Sequence, residues 1–417
     1  MLAIIFTIMP QLTAFHPVLT KSLQDRGCLE KEQCNCKSHE PTRCKAHPVF
    51  TAPRGRNLCS ESTKSDCKDT APTKLKNVAR ENGLSHNPSA ADHQIVLIQA
   101  GQPDQTALAS DMRYRILGRT GLRVSVIGLG TWQFGGEWGH DFSQTEADAI
   151  LDAAGECGIN LIDTAECYGD HLSERLIGDY LARHDRSRWM VATKFGHHFH
   201  GFMNRTDDFS VDGVRAQLEA SLRALRVDVI DLYQFHSGSD EIFQNQELWT
   251  MLAEQKRAGK IRHLGVSILM KGSELQAREA ARFGAEALQV FYNRLDRRPE
   301  QIYFPPARRD QLGIIGRVPL ASGLLTGKYK PGVTFAANDV RSATDIEKIN
   351  RDLAEVERLQ KTEVPPGVPM ANWALAWCLQ DPLVSSVICG CKNPEQVKAN
   401  AQAAELVAAS QAKLPAT

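Results

Sequence analysis

The sequence predicts a parallel (β/α)8 barrel, and three observations carry that prediction. From Arg113 onward, short apolar or β-branched runs alternate with longer stretches of helical periodicity. The alternation repeats eight times. The first run, "GLGTWQFGG", places Trp132 where the third glycine of a dinucleotide fingerprint would stand, and no helix pattern begins there, which argues against an open doubly wound sheet. Strict strand–helix alternation implies parallel strands with helical crossovers, and eight such units close into a barrel.

Taken in order, "RYRIL-GRTG-LRVSV" reads as a β-hairpin around a Gly-containing turn. The barrel strands are then expected at Val124–Gly130, Ile159–Asp163, Trp189–Lys194, Asp228–His236, Ile261–Ser267, Ala287–Tyr292, Leu312–Leu320 and Leu383–Gly390. Between them, Ser173 and Glu174 open a stretch with Leu176, Ile177, Tyr180 and Leu181 on one face. Ser210 precedes Val214, Leu218, Leu222 and Leu225 at helical spacing, and "QELWTMLAEQKRAGK" ends in basic residues and a glycine. The longest interval, between strands seven and eight, holds "TGKYKPGVTF", the charged run Asp345–Lys361 and "MANWALAWCLQ". It accommodates a long loop over the barrel mouth and an extra helix besides the regular one.

Residues 1–111 have a different character, and the predicted division is a Cys-rich extension over 1–111 and a barrel over 112–417. The extension is rich in Lys, Ser, Asp, Pro and Asn, has no sustained periodicity, and reads as disordered. Cys34, Cys36, His39, Cys44 and His47 lack the paired elements of a structural zinc site. The apolar start ends at Pro10, with no basic residue before it and no clear cleavage site after it, which argues against a signal peptide. An alternative origin for the segment is a start assigned too far upstream, with translation beginning at Met112. Sequencing the native N-terminus tests this, and a terminus in the first few residues would exclude it.

Composition narrows the function classes. The 49 basic and 49 acidic residues balance, so neither nucleic acid nor an anionic membrane is indicated. No stretch approaches the roughly 20 apolar residues of a membrane span. Six of the 11 cysteines lie in the extension, and the other five (Cys157, Cys167, Cys378, Cys389 and Cys391) form no disulfide framework. Free thiols in a reducing, cytoplasmic compartment are expected. A small-molecule substrate is the default partner, and no feature specifies an oligomeric state.

In such a barrel chemistry gathers at the C-terminal ends of the strands. Those ends supply Asp163, Lys194 and His236 from three adjacent strands, with Tyr168 in the loop leaving the first of them. Taken singly, each has an ordinary reading: a cap, a solvated strand end, an edge histidine, a packed ring. Together they make a proton donor. A buried lysine needs a carboxylate partner, and Asp163 is the acid placed to provide one. A neighbouring ammonium lowers the tyrosine pKa from about 10 and makes it a usable general acid. A histidine opposite would orient a carbonyl and stabilise charge on its oxygen. The set contains no nucleophile and no metal-ligand cluster, and it suits hydride transfer from a nicotinamide to a carbonyl.

The stretches "GLGTWQFGG", "LIDTAECYGDHLSERLIG", "VATKFG", "DLYQFHSG", "GVS", "QVFYNRLDR", "PLASGLLTGKY" and "NPEQVKAN" together resemble the aldo-keto reductase family from Arg113 to about Ala404. The resemblance implies a catalytic tetrad of Asp163, Tyr168, Lys194 and His236, and an NADPH site, with NADH as the alternative. It implies nicotinamide contacts from Ser267 and Gln289, with Ile268 where many members have asparagine. Arg317 stands where others stack an aromatic ring, and a guanidinium stacks too. Further cofactor contacts fall to Trp132, Leu320, Gly390, Lys392, Gln396 and Asn400. Of these, Lys392 is placed to meet a 2′-phosphate, and Gly390 with the following helix start to offer backbone N–H groups to a phosphate.

The implied activity is NADPH-dependent, reversible reduction of aldehydes or ketones. The alternative is a cofactor-binding regulatory subunit of the same fold with little turnover, since some members are channel partners. Substrate choice is expected to depend on "HHFHGFMNRTDDFS" and "PGVTFAANDVRS", with Phe134, Trp138, His197, His198 and Phe199 as pocket candidates. Cys389 and Cys391 read as small buried residues, and Cys167 as a bystander.

Overall fold

The computed structural model describes residues 112–411; the predicted extension and its cysteines lie outside the described residues. Tyr114–Ile116 (β1) pairs antiparallel with Arg123–Ser125 (β2) in the expected hairpin. Its turn runs close against the barrel floor. A Cβ on Gly118 would lie 2.0 Å from the Gly313 nitrogen, and the backbone there has φ +51°, so both space and conformation call for glycine. The run expected as one strand, Val124–Gly130, is divided. Residues up to Ser125 pair with β1, and the chain turns at Val126, where the Ser125 hydroxyl donates to the Ile127 carbonyl at 2.7 Å.

The barrel follows as Ile127–Gly130 (β3), Leu161–Asp163 (β4) and Met190–Phe195 (β5). After it comes an unforeseen antiparallel hairpin, His197–Gly201 (β6) with Asn204–Asp207 (β7). The remaining barrel strands are Ile230–His236 (β8), Ile261–Ser267 (β9), Ala287–Phe291 (β10), Gly313–Arg317 (β11) and Val384–Gly390 (β12). The barrel strands pair in parallel in the order β3-β4-β5-β8-β9-β10-β11-β12, and β12 closes on β3. The eight-stranded (β/α)8 architecture is therefore the expected one. Ile261–Ser267 matches its expected run and Met190–Phe195 is shifted by one residue, while the other barrel strands are shorter than the apolar runs that announced them.

Two hydrophobic layers hold this together. Leu161, Ala192, Leu232, Ala287, Ile315 and Ile388 fill the barrel interior with Leu117 and Val124 of the hairpin beneath them. A larger layer lies between strands and helices, including Ile150, Leu151, Ile177, Val214, Leu218 and Trp249. Each such large side chain, once buried, contributes on the order of 1.5–3 kcal/mol. Ser210 caps Val211–Leu225 as its place before that run predicts. The stretch opened by Ser173 and Glu174 starts one residue earlier, as Leu172–Leu181, and Ser143 and Glu146 form a reciprocal capping box before Gln144–Glu156.

The long interval before β12 contains the extra helix, Ile346–Thr362, and the regular one, Met370–Cys378. The extra helix packs Ile349 and Leu353 on Leu324, and Val356 and Leu359 on Leu325, so it braces the loop after β11. Among the described residues no helix is long and apolar enough to cross a membrane.

Candidate active site

Parallel strands deliver Asp163, Lys194 and His236 to one rim as the last or nearly last residues of β4, β5 and β8. The fully buried Lys194 ammonium uses all three of its donors. It reaches Asp163 Oδ1 at 2.6 Å, the Thr164 carbonyl at 2.7 Å and the Tyr168 hydroxyl at 3.2 Å. The other Asp163 oxygen accepts from Gln289 Nε2 at 2.7 Å and Gln234 Nε2 at 3.2 Å. A buried ion pair offsets its desolvation only when its remaining valences are met, and here they are. Tyr168 is held between two neighbours: the Trp132 ring stacks at 6.0 Å, and the ammonium lies 4.9 Å from its ring centre.

Burial pulls the Lys194 pKa down, but the charge of Asp163 and the contact with Tyr168 outweigh it, leaving the group above its ordinary value and protonated. Tyr168 departs from the sequence-based expectation of an acidified phenol. Loss of solvent pushes it up to about 12, more than the nearby ammonium pulls it down. It holds its proton firmly until a partner replaces the missing solvent. His236 is driven well below the usual histidine range, first by burial and then by His197, Lys194, Arg317 and Arg205. Its imidazole is neutral. The arrangement holds a proton on one oxygen beside a fixed positive charge, with a neutral imidazole edge-on at 6.3 Å.

Beside this cluster opens a cavity of about 410 Å³. Trp132, Asp163, Tyr168, Gln289, Arg317, Leu320, Gly390, Lys392, Gln396 and Asn400 all line it. Ser267, Lys194 and His236 do not. Ser267 lies behind, donating to Gln289 Oε1 at 3.3 Å. Arg317 donates to the Ile268 carbonyl at 2.9 Å and sits 5.8 Å over the Phe291 ring. A Cβ on Gly390 would overlap the amide end of the Gln133 side chain, which would have to move aside.

The expected phosphate-binding N–H groups near Gly390 are partly engaged. The Lys392 N–H donates to Gln396 Oε1 and the Gln396 N–H to Asn393 Oδ1, both at 2.9 Å, while Pro394 has no N–H to offer. The helix that begins there, Pro394–Ala401, is followed by another, Ala403–Gln411. The Lys392 ammonium donates to the Trp138 carbonyl at 2.7 Å. Of the pocket candidates, Trp138 lines the cavity, whereas Phe134 is core, packed on Phe142. His197 faces His236 at 5.0 Å. His198 and Phe199 lie on the β6–β7 hairpin, outside the cavity lining. Cys389 and Cys391 are buried with their thiols pushed up, Cys391 to about 12, which suits small packed residues.

Sequence reasoning missed Gln133, Lys328 and Arg341, which also line the cavity. The two lysines of "TGKYK" were the available signal for a basic end. Arg341 arrives through a contact that sequence does not reveal: Trp138 bridges to Asp339, and the Arg341 guanidinium pairs with both Asp339 carboxylate oxygens, at 2.8 and 2.6 Å. Three buried polar atoms on the lining have no partner among the described residues: Gln133 Oε1, Trp138 Nε1 and Arg317 Nε. Orphaned donors and acceptors around a cavity with a basic end fit a nicotinamide dinucleotide.

The model of the aldo/keto reductase family matches residues 126–415. The chain belongs to this family. It is 33% identical over 306 residues to the NADH-specific methylglyoxal reductase of Escherichia coli (strain K12), covering 69% of this chain and 92% of that one. It is 30% identical over 319 residues to a probable voltage-gated potassium channel subunit beta of Oryza sativa subsp. japonica, covering 71% and 92%. Among solved structures, the holo form of a Bacillus halodurans aldo-keto reductase is similar at 31% identity and TM-score 0.61, covering 72% of this chain and 94% of that one.

Proposed function

We propose that this aldo-keto reductase reduces aldehydes or ketones to alcohols, reversibly, with Tyr168 as the general acid. The observation that carries this reading is the Lys194 ammonium bonded to both Asp163 and the Tyr168 hydroxyl at the edge of the cavity. NADPH or NADH would be held by Gln289 and Arg317 at one end and by Lys328, Arg341, Lys392, Gln396 and Asn400 at the other. When bound, the nicotinamide supplies the hydride that goes to the carbonyl carbon.

The protein's own residues supply the proton and its electrostatics. The Tyr168 hydroxyl donates to the carbonyl oxygen and passes its proton there as negative charge develops. Lys194 stabilises the tyrosinate left behind, and Asp163 keeps Lys194 charged and aimed. The neutral His236 offers a second donor to the same oxygen. Solvent then returns a proton to Tyr168. The tyrosine need not be acidic when the cavity is empty, because a developing alkoxide is a far stronger base than water.

The rice relative favours a second reading, a cofactor-binding subunit with little turnover. Oxidation of NADPH and of NADH with a panel of aldehydes, ketones and sugars separates the two. Turnover supports the reductase, and tight nucleotide binding without turnover of any carbonyl supports the subunit.

A further inference from the structure

Cys167, next to the tyrosine, has a partner that the mechanism above leaves unused. Its sulfur lies 3.8 Å from His236 Nδ1. The residue is 2% exposed. Its main chain is pinned, with the Cys167 carbonyl accepting from the Gly169 N–H at 3.1 Å and from Arg205 Nη2 at 3.4 Å. On the other side of His236 the ring meets Tyr168 edge-on, and among the described residues its Nε2 makes no hydrogen bond. A neutral imidazole carries one N–H, and the bond made by one nitrogen decides which nitrogen bears it.

We propose that the Cys167 thiol sets the tautomer of His236, its S–H donating to Nδ1 so that the ring proton resides on Nε2, where a substrate carbonyl can accept it. Cys167 is thus a positioning residue acting through His236. The thiol keeps its proton for this task, since burial, then the neighbouring Glu166, raise its pKa. Among the described residues the S–H has no other acceptor.

The reverse bond, Nδ1–H to sulfur, would leave Nε2 an acceptor that repels a carbonyl oxygen. Ligand atoms of Glu166, Cys167 and His236 do lie within 4.8 Å of one another, close enough to surround an ion. Lys194, Arg205 and Arg317 oppose a cation there, all three acting on the His236 ring as positive neighbours. A cluster of proton-bearing neutral groups is the better description.

The test uses the full chain with isotope-labelled histidine, the His236 signal being assigned by its loss in His236→Asn. Nuclear magnetic resonance is expected to find Nδ1 unprotonated and Nε2 protonated, and the Cys167 S–H stretch at the lowered frequency of a bonded thiol. Cys167→Ser and Cys167→Ala differ only in a hydroxyl donor. We expect Cys167→Ala to lower kcat about fivefold to tenfold relative to Cys167→Ser, the worth of one hydrogen bond, with cofactor Kd unchanged.

Protonated Nδ1 in the wild type, an unbonded S–H stretch, or matching tautomer and kcat in the two variants would overturn the proposal. If Cys167→Ala does not fold, the wild-type tautomer and S–H stretch decide. Only the kinetic arm rests on the reductase reading. A chain that turned over no carbonyl would sink that reading and leave the spectroscopic test intact.

Discussion

Glu166 is a buried acid that the fold keeps protonated. Its Oε1 accepts from the His197 N–H at 2.9 Å, while Oε2 is buried without a partner among the described residues. Burial first, and then the charge of Glu174, push its pKa from 4.5 up to about 8. The unfolded chain releases this proton near 4.5 and the folded chain near 8, so the folded state binds it more tightly between those values. The associated stability is complete below the lower pH and is lost as pH rises to the upper one, by at most roughly 1.4 kcal/mol per pH unit. Glu166→Gln should flatten that decline, measured by urea unfolding across the range; an unchanged slope would contradict the assignment. Lys392 makes a second residue-scale prediction. Its ammonium gives one donor to the Trp138 carbonyl and keeps two that a 2′-phosphate could accept. Lys392→Met should then raise Kd for NADPH about tenfold and leave that for NADH unchanged, the worth of one charged hydrogen bond. Equal changes for both nucleotides would remove Lys392 from that role.

At the scale of elements, the loop after β3 and the β6–β7 hairpin meet at one buried carboxylate. Glu137 accepts from Trp132 Nε1 at 2.7 Å and from the Met203 N–H at 2.8 Å, and pairs with Arg205. Glu137→Ala strands a partly buried guanidinium and an indole N–H, so a loss of about 3–5 kcal/mol is expected on unfolding. Limited trypsin digestion should cut at Arg205 faster in that variant; equal rates would show that Glu137 does not anchor the hairpin. Nothing in "HHFHGFMNRTDD" announced this element. Its turn is Phe202–Met203, with Met203 at φ 55°, where an Asn-Gly pair would have given the signal. The eight barrel strands were legible because apolar runs and helical spacing repeat. Their ends were less so, because packing on helices and pairing in the sheet draw on the same residues. The division of Val124–Gly130 follows from the hairpin, whose second strand shares Val124 and Ser125 with that run and keeps them paired to β1.

For the whole molecule, barrel closure turns positions far apart in sequence into neighbours. Asp163, Lys194 and His236 were readable as strand ends on one rim. The Gln289–Asp163 bond, spanning 126 positions, was not. Neither was the phenol pushed up to about 12, because desolvation depends on everything packed around the ring. In the proposed reaction this assembly delivers a proton from Tyr168. The most direct test is NADPH and NADH oxidation by wild type and Tyr168→Phe over the carbonyl panel, with nucleotide binding followed by fluorescence. Wild-type turnover is expected, with nucleotide binding but no turnover in Tyr168→Phe. Reduction by Tyr168→Phe at the wild-type rate would contradict it.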